Sequence, residues 1–323
     1  MRKKKLKLLL TISLLICIGL LAYVGYKYNG KWFYITNGKQ ADVVIKTKGL
    51  KFTTGQAKVL LSDSKSDYQN LFGDDIFKES LGDISFKDYA VNQVRTKMLR
   101  LAAMNIYAKE NGIVLTRDQE MESANKASAY ISSITSSEAS ALGVDKESIT
   151  ELYKAYATSE NVYQLFSDKY NFEISADEAR VINIQYICAD SLEGIQKAKQ
   201  RIASGEIFYV VAKEYNGNNY EAELRRGEME KEFEDAAYKL KTGETSDIVE
   251  VAGKFYIIKC NSDNNKAQTE ANKTTLLEKK KIAKFNEEFE PIEAGIYLDV
   301  NDEAFSSLDI NTIETYSVKF MDK

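Results

Sequence analysis

The chain has 323 residues, of which 44% are hydrophobic and 28% charged, a balance typical of a folded protein and not of a disordered one. It contains no histidine, which excludes histidine-based triads and histidine metal ligands, and its three cysteines show no zinc-binding spacing. The first 27 residues carry six basic residues and no acidic one, so the remainder has 38 basic and 48 acidic residues, a net charge of −10. Such an acidic body argues against nucleic-acid binding, and we expect neither a cofactor nor a metal.

The N-terminal segment predicts a membrane anchor. Leu8 to Tyr26 is free of charge, and these 19 residues are about enough to cross a bilayer core. Tyr23 and Tyr26 suit an interfacial aromatic belt, and the basic start favours a cytoplasmic N-terminus, with the bulk of the chain outside the cell membrane. A cleaved signal peptide is an alternative, although no A-x-A site follows. A lipoprotein signal at Cys17 is another, although Ile16 stands where such signals hold a small residue.

The chain from Ser85 onwards is predicted to be mainly helical. Apolar residues recur at helical spacing as far as Gly112, which suits a helix end, and "TRDQ", beginning at Thr116, is a capping box for the next helix. Another helix over about 146–170 carries apolar and tyrosine residues on one face. We interpret that face as helix–helix core, with a client-binding surface as the alternative. "SADE", beginning at Ser175, predicts a single helical turn.

At Arg180 the pattern changes to alternating strands and helices. "RVINIQYIC" predicts a strand, "SLEGIQKAKQRIASGE" and "FYVVAKEY" predict helices, and "NGNNYEAELRRG" predicts a loop with a short strand. "RGEMEKEFEDAAYKL" predicts a helix, and "SDIVEV" and "KFYIIKC" a strand–turn–strand pair. A long charged helix follows and is expected to stop near Pro291, before two strands in "GIYLDV" and "TYSVKF".

Three segments of this region resemble a parvulin-type peptidyl-prolyl cis-trans isomerase (rotamase): "IASGEIFYVVAKEY", "RRGEMEKEFEDAAYKLKTGETSDIVE" and "FYIIK". The flanks resemble the helical domain of bacterial extracytoplasmic foldases of the PrsA and SurA kind. This resemblance rests on the segment "SFKDYAVNQVRTKMLRLAAMNIYAKENGIVLTRDQ". The resemblance implies an α+β protein with a single N-terminal transmembrane helix and a mainly helical chaperone-like domain. A parvulin-like domain of a small antiparallel sheet plus helices is inserted into it. The implied divisions are a basic tail and anchor (1–27), the first helical part (28–178), the parvulin-like domain (179–263) and a C-terminal part packing back on the helical domain (264–323).

The resemblance also implies a site. In parvulin-type isomerases a methionine and a phenylalanine four residues later line the proline pocket, and Met229 and Phe233 match both, with Leu224 at a further apolar wall. Without the resemblance, the same spacing is that of plain helix core. Both histidines that are usual in parvulin-type isomerases are missing from this chain. The resemblance places Gln185 and Tyr256 at their positions. These two are the candidate catalytic residues, and we expect them to hydrogen-bond across neighbouring strands.

The same alignment makes a prediction about the cysteines. If Gln185 lies opposite Tyr256 in an antiparallel pair, Cys188 lies opposite Gly253. Cys260 is then seven residues along, or about 23 Å at about 3.3 Å per residue. A disulfide between Cys188 and Cys260 is therefore not expected.

The function implied by the resemblance is that of a membrane-anchored foldase for secreted proteins. Its partners would be unfolded or partly folded secreted polypeptides and X–Pro segments. Catalysis would need no covalent bond, because an apolar pocket that favours the twisted amide lowers the barrier of about 18–20 kcal/mol. The missing histidines keep two alternatives open: a holdase chaperone without catalysis, and an adaptor of the cell envelope.

Overall fold

The computed structural model describes residues 42–47, 49–316 and 318–320. Within these residues no helix combines the length and the apolar character needed to cross a bilayer. The predicted anchor, Leu8 to Tyr26, lies outside the described residues.

The described chain combines many helices with small antiparallel sheets, as expected. Its strands are β1 (Val43–Thr47), β2 (Leu50–Thr53), β3 (Ser80–Leu81), β4 (Ile84–Ser85), β5 (Ile182–Ala189), β6 (Glu221–Leu224), β7 (Val249–Val251), β8 (Lys254–Ser262) and β9 (Asp299–Val300). Its α-helices are α1 (Thr54–Phe72), α2 (Phe86–Glu110), α3 (Arg117–Ser133), α4 (Ser136–Leu142), α5 (Lys146–Ser167), α6 (Ala176–Ala179), α7 (Leu192–Ala203), α8 (Phe208–Asn216), α9 (Lys231–Ala237), α10 (Lys266–Gly295) and α11 (Asp302–Ser306). A 3₁₀ helix covers Asp74–Lys78.

The chain divides into two compact units. The first, here called the helical unit, comprises Met1–Asp168 and Asn286–Lys323, and the second comprises Lys169–Phe285. The second unit extends beyond the predicted 179–263 at both ends because side chains of α10 bond to the chain around β5. Asn272 Nδ2 donates to the carbonyl of Ala179 at 2.9 Å, and the Val181 amide donates to Thr269 Oγ1 at 3.0 Å.

Reciprocal caps begin four helices of the helical unit. Thr53 accepts from the Gln56 amide while the Gln56 side chain accepts from the Thr53 amide, and the predicted capping box at Thr116 is confirmed. Each such box satisfies backbone donors that a helix start would otherwise leave without partners. Near the first of these boxes, a Cβ atom on Gly55 would lie 2.3 Å from the carbonyl oxygen of Gly143, so glycine lets α1 approach the end of α4.

The core of the helical unit joins α1, α2 and α5 to the sheet of order β2-β1-β9. Asn105 in α2 fastens α5 from inside this core, because its Nδ2 donates to the carbonyl of Ala155 at 2.9 Å and to Ser159 Oγ at 3.1 Å. The face of α5 interpreted as core is buried at Ile149 and Leu152. That part of the tyrosine-bearing face therefore packs inward.

Two predictions for the C-terminal region are wrong. Helix α10 continues through Pro291 instead of stopping there, since the burial of Phe289 and Glu293 on either side holds this stretch as helix. "TYSVKF" forms no strand over its described residues. Its last residue bonds to side chains instead, because the Phe320 amide donates to Asp63 Oδ1 at 3.2 Å and its carbonyl accepts from Tyr153 Oη at 2.6 Å.

The second unit is built on an antiparallel sheet of order β6-β5-β8-β7. Helix α9 packs on one face of the sheet, in a cluster centred on Phe233 and Ile258, and α7 and α8 cover the other face around Ile187 and Ile257. The predicted order of elements, β-α-α-(β)-α-β-β, is confirmed. The β7–β8 turn holds Ala252 at φ 48°, a left-handed conformation that is costly for a residue with a side chain.

Candidate functional site

The candidate site lies on the α9 face of the second unit's sheet, where β5 and β8 pair. Tyr186 lies opposite Ile258 and Cys188 opposite Tyr256. Because side chains two residues apart in a strand point to the same face, Tyr186, Cys188 and Tyr256 share one face. Phe233 of α9 packs against that face.

Gln185 lies on the opposite face of the sheet, so the prediction that it faces Tyr256 is wrong. Its strand partner is Lys259, three residues from the expected one. A register shift by an odd number of residues moves a side chain to the other face. The Gln185 side chain bonds across to β6 instead, where its Nε2 donates to Glu221 Oε1 at 2.8 Å. Cys188 is the β5 residue directly opposite Tyr256, and the Tyr186 ring lies beside the Tyr256 ring on the same face.

Three aromatic rings form the centre of the site. The Phe233 ring meets Tyr256 edge-on at 5.3 Å between centroids and Tyr186 edge-on at 6.0 Å, and the two tyrosine rings are 6.3 Å apart. Edge-to-face pairs at these distances are favourable beyond the area that they bury. Phe233 is 1% exposed and Leu224 2% exposed. Phe233 and Leu224 are therefore part of the buried core under the site. The half-buried rings of Tyr186 and Tyr256 are the ones that a ligand can reach.

Met229 lies in a loop and not in a helix, which corrects the prediction of one helix across "RGEMEKEFEDAAYKL". Helix α9 begins only at Lys231 because the buried carboxylate of Glu234 organises the preceding turn. Its Oε1 accepts from the amide of Gly227 at 2.6 Å and from the amide of Met229 at 3.1 Å. The Met229 side chain is 36% exposed. Unlike Phe233, it is open to a ligand.

The hydroxyl groups of the site stay protonated. Burial is the largest of the causes that raise the pKa of Tyr256 to about 12. Burial is also the main cause that raises the pKa of Tyr186 above its ordinary value. At neutral pH both phenols therefore have a hydrogen to donate.

The two described cysteines are free thiols, Cys188 half-buried and Cys260 buried. The expected register, with Cys188 opposite Gly253, is wrong. Cys260 lies opposite Ile184, four residues from Cys188 along β5. Four residues correspond to about 13 Å at about 3.3 Å per residue, which is still too far for a disulfide. The described residues contain no cluster of histidine, cysteine, aspartate or glutamate that could hold a metal ion.

Sequence reasoning missed Tyr186, Cys188 and Glu234 as members of the site. A signal for Tyr186 was present, since strict alternation from Ile182 and Ile184 puts Tyr186 on the same apolar face. No local pattern marks Glu234, because its role depends on a turn formed by preceding residues.

Comparison with known families agrees with this architecture. Residues 187–262 match the model of the rotamase family described as the PPIC-type PPIASE domain. These residues form a parvulin-type domain. The match begins within β5 and continues to the end of β8, so the parvulin domain contains Cys188, Phe233 and Tyr256, while Tyr186 immediately precedes the matched range.

The chain is also similar to curated foldases beyond the parvulin domain. It is 24% identical over 228 residues to the foldase protein PrsA of Caldanaerobacter subterraneus subsp. tengcongensis, an alignment that covers 68% of this chain and 72% of the relative. It is 33% identical over 119 residues to PrsA of Oceanobacillus iheyensis, covering 35% of this chain and 37% of the relative. The resemblance to parvulin-type isomerases and PrsA foldases is thus confirmed.

Among solved structures, the crystal structure of the peptidylprolyl isomerase PrsA from Bacillus cereus is similar with a TM-score of 0.39 and 16% identity. The alignment covers 79% of this chain and 90% of that one.

Proposed function

We propose that the chain is an extracytoplasmic foldase that binds unfolded or partly folded secreted polypeptides and isomerises their X–Pro bonds. The observation that carries this proposal is the aromatic site, in which Tyr186 and Tyr256 are half-buried and pack edge-on against a buried Phe233. The match to the rotamase family and the similarity to foldases support the same conclusion. The uncharged segment Leu8–Tyr26 would anchor the protein, with the parvulin domain outside the membrane.

The site would act by differential binding. A proline ring would rest on the two tyrosine rings, which pack against the buried cluster around Phe233, and the exposed Met229 side chain would cover it. The planar amide is the more dipolar form, so an apolar surrounding disfavours it relative to the twisted amide. No histidine is needed for this step, because no proton is transferred.

The test is an exchange-NMR assay of cis–trans isomerisation with the purified full chain and a panel of X–Pro peptides. We expect exchange faster than the uncatalysed rate. We also expect Met229→Ala to weaken peptide binding about fivefold, which corresponds to about 1 kcal/mol. Met121→Ala is the matched control, since Met121 is 53% exposed on α3 of the helical unit. Equal affinity for wild type and Met229→Ala would show that the pocket assignment is wrong.

A holdase without catalysis is a second candidate, and one observation favours it. Phe233 is 1% exposed, so the ring that would form the floor of the proline pocket is covered. In that case the parvulin domain would grip extended segments through its half-buried tyrosines. Intact peptide binding with exchange at the uncatalysed rate would establish this function in place of the isomerase.

A further inference from the structure

In the second unit, the Tyr186 hydroxyl contrasts with two tyrosine hydroxyls that bond to the backbone. Tyr238 Oη donates to the carbonyls of Arg180 and Leu224, at 3.0 Å each, and Tyr215 Oη donates to the carbonyl of Gly194 at 3.0 Å. The Tyr186 ring is held edge-on by Phe233. Its hydroxyl nevertheless bonds to none of the described residues, and it is not a buried orphan. It is a fixed donor open to a ligand.

Tyr256 differs from Tyr186 in its strand neighbour. Cys188 is its direct partner between β5 and β8, so the Tyr256 side chain lies beside the thiol. The Cys188 amide is itself fastened, donating to Asn216 Oδ1 at 3.0 Å. The Tyr256 ring is packed edge-on by Phe233 at 5.3 Å between centroids, and its centroid is 6.3 Å from that of Tyr186. Tyr256 is thus suited to positioning its neighbour.

We propose that the Tyr186 hydroxyl donates a hydrogen bond to the amide nitrogen of a bound X–Pro bond as that bond twists, and that Tyr256, whose ring lies beside that of Tyr186, is a positioning residue. The inference rests on the proposed isomerase function and names the group that makes the polar contact. In the planar amide the nitrogen lone pair is delocalised, so the nitrogen becomes an acceptor only when resonance is lost. The contact therefore strengthens in the transition state alone, which raises the rate without tightening ground-state binding. The proton stays on Tyr186 throughout.

A donor of this kind also makes a prediction about pH. The chain has no histidine, and burial keeps the Tyr186 phenol protonated. The groups that face the tyrosine pair are the Cys188 thiol and the Glu230 carboxylate. We expect catalysis to be constant between about pH 5.5 and 7.5, the range in which a histidine would titrate. Tyr186→His should introduce a pH step in that range.

The decisive experiment measures kcat/KM for isomerisation and Kd for the same X–Pro peptide in the full chain. Tyr186→Phe removes the hydroxyl and keeps the ring, so we expect kcat/KM to fall about tenfold, the loss of about one hydrogen bond, while Kd changes less than about twofold. Tyr256→Phe and Cys188→Ala should give smaller losses. Tyr209→Phe is the control, because Tyr209 is 46% exposed on α8 and its loss should change neither quantity.

The outcomes separate the two proposals. An active wild type with an equally active Tyr186→Phe variant would overturn the inference and leave the isomerase intact. Parallel losses in kcat/KM and affinity would also overturn it, since they would assign the hydroxyl to ground-state binding. A wild type that binds the peptide but exchanges it at the uncatalysed rate would overturn both.

Discussion

The two units of the molecule use aromatic side chains in different ways. In the helical unit, Phe320 stacks on Tyr153 with centroids 4.0 Å apart, and the Tyr153 hydroxyl bonds to the Phe320 carbonyl. Both the Tyr153 ring and its hydroxyl therefore hold Phe320 in place. In the parvulin domain and its first strand, Tyr186 and Tyr256 are held by Phe233 but remain half-buried. The comparison teaches that ring packing alone does not mark a site; an accessible ring with an uncommitted polar group does.

The largest effects should come from the phenylalanine at the centre of each core. Phe52 in the helical unit and Phe233 in the second unit are each 1% exposed, and each belongs to a cluster made within its own unit. We expect Phe52→Ala and Phe233→Ala each to destabilise its own unit by about 3–5 kcal/mol. Hydrogen exchange followed by mass spectrometry in mild denaturant measures each unit separately. If either variant weakened both units equally, the two cores would not be energetically separate.

An intermediate effect should come from the carboxylate that shapes the Met229 turn. Glu234 is 9% exposed and accepts from two backbone amides, so Glu234→Ala leaves two donors without their partner. We expect a loss of about 1.5–3 kcal/mol, the range for hydrogen bonds to a charged group. The Met229 amide should also exchange faster.

The matched control for this turn is Glu232→Ala, because Glu232 lies exposed on the same short helix. That variant should leave the protection of the Met229 amide unchanged. Equal effects of the two variants would mean that helix charge, and not the turn, is responsible.

The smallest effect should be a stabilisation in the β7–β8 turn. Ala252 and Gly253 both have positive φ, and asparagine followed by glycine is the sequence that such a turn favours. Ala252→Asn should therefore raise the free energy of unfolding of the second unit by about 0.5–1 kcal/mol. Urea unfolding monitored by exchange in β8 measures it. A destabilised hairpin would show that Ala252 makes a contact that asparagine cannot.

Much of the local structure was predictable because it depends on residues close in sequence. The capping box at Thr116, the single turn after Ser175 and the strand "RVINIQYIC" follow from caps and alternation, and all three are observed. The helix expected across "RGEMEKEFEDAAYKL" is shorter than predicted. Its apolar spacing gave no indication that Glu234 would stabilise a turn at Gly227.

The order of elements in the second unit, the parvulin resemblance and the candidates Met229, Phe233, Leu224 and Tyr256 followed from the sequence. The tertiary structure decided which side chains meet. Pairing Cys188 with Tyr256 brings Tyr186 to the Phe233 face and sends Gln185 to the other face. Strand register is set by the packing of both sheet faces at once, and a shift of one residue exchanges the two faces. The register between β5 and β8 therefore depends on helices distant in sequence, and no local sequence pattern could predict it.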